Sequence, residues 1–405
     1  MKINCVFCSK DPRICPIHAP KFYGNVKEIK EIREFSSVSP PSVFIGSKLK
    51  YPSVNIGVLS PPEKIEEAWL LDSPNYWAKN EFDINEIVSL RKNLINSRKT
   101  NSAKALNDSY VELLQEIGMS VKPVDINVEL NKSVKMSLSL DNIATARGPS
   151  AELKKINVNE NIRIHSKVDK VVSDSDLKAV TALEYLYKSG FNEQQLSQLL
   201  SIGVLGIKDN RRLVPTRLSI TATDDILGKK LLKDVRDYKE IENYRIYFNG
   251  YLGNYYLIMF IPNNFSYELF ETYLQGFMKN FNFQSTTDYE SYFGRKNYAL
   301  QTAGGYYSVK LAILEELSKI KRKASVITLR FITPAYTMPL GVFVTREAAR
   351  KSLNSEYREF NNIEEMLEYA KVLIYSKFKF KIDEILKKSK LLNDIKTQKR
   401  ISNYF

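Results

Sequence analysis

A chain of 405 residues has room for two or three domains or one elaborated domain. Its 60 Lys and Arg outnumber its 46 Asp and Glu, and the resulting +14 net charge attracts polyanions, nucleic acid first among them. The longest apolar run, around residues 255–262, is strand-sized, which argues against a membrane-spanning helix. Three cysteines, an odd number packed into the first fifteen residues, exclude a disulfide framework.

Those cysteines open the chain order. Cys5 and Cys8, then Cys15 and His18, form two knuckles of the C-x-x-C and C-x-x-H type. Each knuckle grips one side of a tetrahedral ion, and thiolate with imidazole suits Zn²⁺. Four protein ligands leave no open position, so the expected zinc is structural. Pro12, Pro16 and Pro20 stiffen the connecting loops. Lys2, Lys10, Arg13 and Lys21 make the segment basic, and the leader lacks the apolar core of a signal peptide, so a cytoplasmic, nucleoid-associated protein is expected.

Residues 36–62 alternate short apolar pieces with Gly46, Pro52, Gly57 and Pro61–Pro62, a pattern of short strands and turns. Residues 63–116 carry helical apolar spacing, and Gly118 suits a helix end. Residues 121–172 alternate as strands do, with His165 expected on one of them in a structural or surface role. Helices are expected from Leu177 to Lys188 behind Asp174 or Asp176, and again behind Asn192. The pair has the outline of a helix-turn-helix, an outline common among packed helices of no DNA-reading role.

The stretch 211–238 mixes Arg211, Arg212 and Arg217 with Asp224 and Asp225. Clustered arginine beside paired carboxylates suits a phosphate or a divalent ion; the plainer reading is a strand-to-helix junction, capped by Thr223 or Asp224, with solvated charge. Residues 244–261 read as a hairpin turning near Gly253–Asn254. Gly304–Gly305 precede a helix whose apolar face is Val309, Ala312, Ile313, Leu317 and Ile320. A Gly-Gly helix entry exposes N–H groups to an anion, with Arg295 and Lys296 adding charge; the plainer reading is a turn with packed tyrosines. Residues 325–332 and 340–345 read as strands, and a helix is expected from Asn362 onward.

Residues 371–405 hold ten Lys and Arg against three Asp and Glu, a net of +7. They end in Gln398-Lys399-Arg400-Ile401-Ser402-Asn403-Tyr404-Phe405. Ile401, Tyr404 and Phe405 sit at i, i+3 and i+4, so one helical turn gathers them into an apolar plug, and Gln398 keeps an amide free. This pattern resembles the peptide that docks on the DNA sliding clamp, PCNA.

The N-terminal knuckles, VPTRLSITATDD (214–225), YFGRKNYALQTAGGYYSVKLAILE (292–315) and the terminal QKRISNYF together resemble the Nre family of archaeal DNA repair proteins, across essentially the whole chain. The resemblance implies a role in the DNA-damage response. It also implies zinc on Cys5, Cys8, Cys15 and His18, and PCNA bound through Gln398, Ile401, Tyr404 and Phe405. It supplies no catalytic residues.

The expected fold is α+β. A zinc knuckle (1–22) precedes a mixed α/β core (23–360) with a candidate subdivision near 175–210. A basic helical arm (361–397) and the clamp peptide (398–405) follow. The expected function is that of a DNA repair factor tethered to the clamp. An alternative is a tethered enzyme: a nuclease using Asp224, Asp225, Asp288 or Glu290 with Mg²⁺, or a nucleotidyl or ADP-ribosyl transferase using Arg217 with Glu290 or Glu315. An RNA-binding zinc-knuckle protein ranks last, because it leaves the terminal peptide unexplained.

Overall fold

A computed structural model describes residues 32–134, 143–274 and 286–397. The four zinc-ligand candidates and the four candidate clamp-binding residues fall outside them. The chain divides into two compact units, residues 1–227 with 337–343, and residues 228–336 with 344–405. Among the described residues are twelve α-helices and two six-stranded sheets, an α+β arrangement. No helix among them is long and apolar enough to cross a membrane.

The first unit contains strands β1 (Glu34–Ser39), β2 (Val43–Ile45), β3 (Ser53–Ser60), β4 (Ile95–Ser102), β5 (Val124–Leu130) and β6 (Ser150–Val158), ordered β1-β5-β6-β4-β3-β2. All neighbours are antiparallel except β4 and β6. Its helices are α1 (Pro74–Lys79), α2 (Ile84–Lys92), α3 (Ser109–Met119), α4 (Ser166–Ser173), α5 (Ala179–Lys188) and α6 (Glu193–Ser201). Side chains fix their starts. Asp83 and Glu86 form a reciprocal capping box on α2, and Asn192 with Gln195 forms another on α6, as the position of Asn192 predicts.

Three local expectations fail here. Within the span expected to be helical, β4 is a strand at the interior of the sheet. Its sequence, INSRKTNS, shows no apolar alternation, so pairing with β3 and β6 makes it a strand while Asn96 and Ser97 are buried. His165 is not on a strand; it caps α4, its Nδ1 accepting the Lys167 N–H at 3.1 Å. Thr223 and Asp224 cap nothing, because helix α7 runs unbroken from Thr216 to Asp237. It starts behind Pro215, whose carbonyl accepts the Ser219 N–H at 3.0 Å. Thr223 and Asp224 are buried mid-helix, where packing overrides their weak helix preference.

The unit boundary falls within α7. The second unit adds β7 (Lys239–Glu240), β8 (Tyr244–Tyr251), β9 (Asn254–Ile261), β10 (Tyr267–Tyr273), β11 (Thr286–Glu290), β12 (Arg322–Lys323), β13 (Ser325–Ile332) and β14 (Tyr357–Phe360). The second large sheet is ordered β11-β10-β13-β9-β8-β14, and β7 pairs with β12 separately. The predicted hairpin is β8–β9, closed by Leu252 and Gly253, both with positive φ. Helices α8 (Tyr306–Ile320), α9 (Val342–Leu353), α10 (Ile363–Phe378), α11 (Asp383–Lys387) and α12 (Lys390–Thr397) complete the chain. Residues 340–345 enter α9 rather than a strand; a short apolar run such as GVFVT reads either way, and the REAARKSL that follows decides for helix.

Every residue of β13 is buried, because its sheet is covered on both faces. Ile327, Leu329 and Phe331 join Met366, Ala370 and Ile374 of α10, Ile385 of α11 and Leu391 of α12 in one apolar cluster. Each Å² of apolar surface buried there contributes about 25 cal/mol to the stability of the unit. Helix α12 is fastened by Glu268 on β10. Its carboxylate accepts from Ser389 Oγ at 2.5 Å and from the backbone N–H groups of Lys390 and Leu391 at 3.0 Å each. Burial raises the Glu268 pKa from the usual carboxylate value, against the pull of those donors.

Candidate nucleic-acid interface

β11 is the edge strand of the second sheet, and its alternation puts Asp288 and Glu290 on one face. Both are buried. Tyr306 and Lys310, one turn apart on α8, reach the same carboxylate. Lys310 Nζ lies 2.6 and 2.7 Å from the two Glu290 oxygens, and the Tyr306 hydroxyl donates to Glu290 at 2.8 Å. Burial, then the neighbouring Glu290 charge, pushes the Tyr306 phenol far above its ordinary pKa, so it stays a donor. Asp288 accepts the Ala303 N–H at 3.0 Å and lies 3.7 Å from the Arg295 guanidinium.

Gly304 and Gly305 have φ of +56° and +77°. A Cβ on Gly305 would sit 2.3 Å from Thr345 Oγ1, so the chain enters α8 with no room for a side chain. This turn is not the anion cradle that the Gly-Gly pair suggests. Residues Tyr306 to Lys310 of the first helical turns are all buried, and Asp288 already occupies the N–H of Ala303. The packed-tyrosine reading holds for Tyr306 and Tyr307.

Above this floor runs the loop from Ser291 to Gln301. A turn closes where Gly294 N–H donates to Ser291 at 2.9 Å. Arg295 donates to the Tyr289 carbonyl at 2.9 Å, and the Ala299 N–H donates to the Tyr307 hydroxyl at 2.8 Å. Arg236 packs over the Tyr292 ring, 5.2 Å from its centroid, and donates to the Tyr292 carbonyl at 2.6 Å. The loop is therefore pinned at four places. Yet Phe293 and Leu300 are 90% and 91% exposed, with Tyr292 and Tyr298 half exposed and Lys296 exposed between them. Beside Phe293 opens a groove of about 350 Å³, lined by Asn263, Asn264, Tyr292, Asp394 and Thr397 among others. Exposed apolar side chains on a well-fastened loop mark a contact surface. Aromatic rings interleaved with cations are what stack bases and draw phosphates.

The sequence-derived candidates divide accordingly. Glu290 and Arg295 belong to this site, as a buried anchor and as the brace of the loop. Glu315 lies on α8 in an ion pair with Arg350, at 2.7 Å. Arg217, Asp224 and Asp225 lie in the first unit, on the α7 segment. Among the described residues no three His, Cys, Asp or Glu side chains gather as a metal ion would require. Phe293, Leu300 and Lys310 escaped sequence reasoning, which reads Tyr306 only as a packed tyrosine. The interleaving in YFGRKNY was the available signal for the loop; nothing local marks Lys310 as the partner of Glu290.

Residues 7–279 match the family model for archaeal Nre, N-terminal, and residues 290–404 match that for archaeal Nre, C-terminal. The chain belongs to the Nre family. It is 33% identical over 367 residues to the DNA repair protein NreB of Archaeoglobus fulgidus, covering 90% of each chain. It is 32% identical over 325 residues to the DNA repair protein NreA of Haloferax volcanii, covering 78% of this chain and 77% of that one. NreA of A. fulgidus is 33% identical over 351 residues, covering 86% and 87%. No solved structure matches. In this Nre chain the exposed loop falls within the C-terminal family match, as do Glu290, Tyr306 and Lys310 of its floor.

Proposed function

We propose that this Nre protein acts in DNA repair, holding DNA on the Tyr292–Leu300 loop and reaching the PCNA sliding clamp through Gln398, Ile401, Tyr404 and Phe405. The observation that carries the DNA contact is the pinned loop that leaves Phe293 and Leu300 at least nine-tenths exposed beside Arg295 and Lys296. Support comes from the relatives' names as DNA repair proteins and from the +14 charge of the chain. The clamp contact is supported by the terminal Gln-x-x-Ile-x-x-Tyr-Phe pattern. The paired spacing of Cys5, Cys8, Cys15 and His18 supports a structural Zn²⁺ whose binding energy folds the N-terminal segment. A nucleoid-associated location follows from this reading.

The experiment is a fluorescence-anisotropy titration of labelled single-stranded and duplex DNA at fixed salt. Phe293→Ala with Leu300→Ala should weaken single-strand binding at least tenfold without lowering the melting temperature. Unchanged affinity would remove the loop from the reading. Deleting residues 398–405 should abolish capture by the cognate clamp, and retained capture would sink the plug assignment. Metal analysis should give one zinc per chain, with full zinc in a Cys5→Ser, Cys8→Ser variant defeating the knuckle.

A further inference from the structure

The first unit carries a cavity of about 510 Å³ that the DNA-contact reading does not use. Its size falls within the roughly 300–1,000 Å³ of small-molecule pockets. It lies among the β1–β2 connection, the 3-10 turn Ala68–Asp72, α1, and the starts of α4 and α6.

Two aromatic pairs form its walls. Trp69 and Tyr76 meet edge to face with centroids 5.0 Å apart, and each leaves about two-fifths of its surface exposed. His165 and Phe191 meet in the same way at 5.1 Å. Four rings around one cavity offer faces to a flat ligand.

The one acidic side chain of the described lining is already paired. Asp72 is the one carboxylate among the described lining residues, and Arg91 pairs with it at 2.6 Å while Ser42 also donates to it. No Lys or Arg lines the cavity among the described residues. Gln198 is consumed by the fold: it accepts from the Val43 N–H at 3.1 Å and donates to the Gly118 carbonyl at 3.0 Å and to that of Pro41. The others keep capacity. Gln194 donates through Nε2 to the Asp72 carbonyl at 2.9 Å, which leaves its Oε1. Gln195 accepts through Oε1 from the Asn192 N–H at 3.1 Å, which leaves its Nε2. The Asn75 side chain makes no hydrogen bond among the described residues, and His165 keeps Nε2 once Nδ1 has accepted from Lys167. A purely apolar ligand would leave these donors and acceptors unpaired at a cost, and an anionic group inside the cavity would meet no cation among the described lining residues.

We propose that this cavity binds a nucleobase, stacked on Trp69 and Tyr76 and read at its edge by Asn75, Gln194 and Gln195. A neutral heteroaromatic ring with alternating donors and acceptors is the ligand that satisfies both walls and edge. The base arrives either on a free nucleotide or extruded from a strand; the chemistry of the site is the same for both.

Trp69 makes the test direct. The chain has two tryptophans, and Trp77 is fully buried with its Nε1 donating to Leu70 at 2.8 Å. Purified full-length protein is titrated with each of the four deoxynucleoside monophosphates, and separately with an oligonucleotide carrying 2-aminopurine opposite an abasic site. Saturable quenching of Trp69 fluorescence, absent in Trp69→Phe, is expected. Quenching by a monophosphate assigns the free ligand, and quenching by the oligonucleotide alone assigns the extruded base. Asn75→Ala and Gln194→Leu should each weaken binding at least tenfold. Circular dichroism melting checks both folds, and because the Asn75 side chain makes no internal hydrogen bond among the described residues, its variant stays interpretable if the other unfolds. No saturable quenching by any ligand, or affinity unmoved by Asn75→Ala, overturns the proposal. Phe293→Ala should leave monophosphate quenching unchanged, so this result and the loop result are read separately.

Discussion

The floor beneath β11 and the loop above it are built from the same residue types put to opposite uses. Tyr306 and Lys310 are buried around Glu290, where each polar atom has a fixed partner. Tyr298 and Lys296, only a few positions earlier, face solvent with Phe293 and Leu300. Desolvation makes the floor costly to disturb and poor at meeting anything new. Exposure makes the loop cheap to alter and apt for contact. Residue type therefore did not decide role in this region; the two hydrogen bonds that pin Arg295 and Ala299 did.

Substitutions should separate the two regions sharply. The largest effect is expected from Lys310→Ala, which strands a buried carboxylate and should cost about 3–5 kcal/mol of unfolding free energy by denaturant titration. Lys310→Met with Glu290→Gln should restore much of that loss; failure to do so would show that the pair does more than neutralise itself. Next, Gly305→Ala should destabilise by about 1–3 kcal/mol through its positive φ and its clash with Thr345, seen as a lower melting temperature. On the loop, Phe293→Ala should cost about 1–3 kcal/mol of single-strand binding while moving stability by less than about 0.5 kcal/mol. A stability loss as large as that of Lys310→Ala would erase the distinction between loop and floor. The smallest effect is expected from Lys296→Ala, which should lower the slope of log affinity against log salt by about 0.7.

Local patterns made parts of the fold legible. Asn192 announced α6, the Gly253–Asn254 turn announced β8–β9, and residues 325–332 announced the strand β13. What stayed hidden depends on partners distant in sequence. β4 is polar and becomes a strand because β3 and β6 bond it. Asp224 is buried by packing that no window around it reveals. For the site, YFGRKNY gave the residue types of the loop, and the Gly-Gly pair left an anion cradle open beside a packed-tyrosine turn. The buried first turns of α8 show a closed junction instead. The amide-and-ring cavity was invisible because it draws on segments from Pro40 to Leu199.

The fastening of α12 by Glu268 sets a distance. That helix ends at Thr397, and Gln398–Phe405 follow at once. Eight residues fully extended reach at most about 26–29 Å. Anything gripped by the last residues is thereby leashed to the second sheet within a span shorter than the diameter of a small protein. Under the proposed clamp and DNA contacts, such a leash bounds the distance from the unit to its anchor and raises the local concentration of the Phe293 loop at a strand passing nearby.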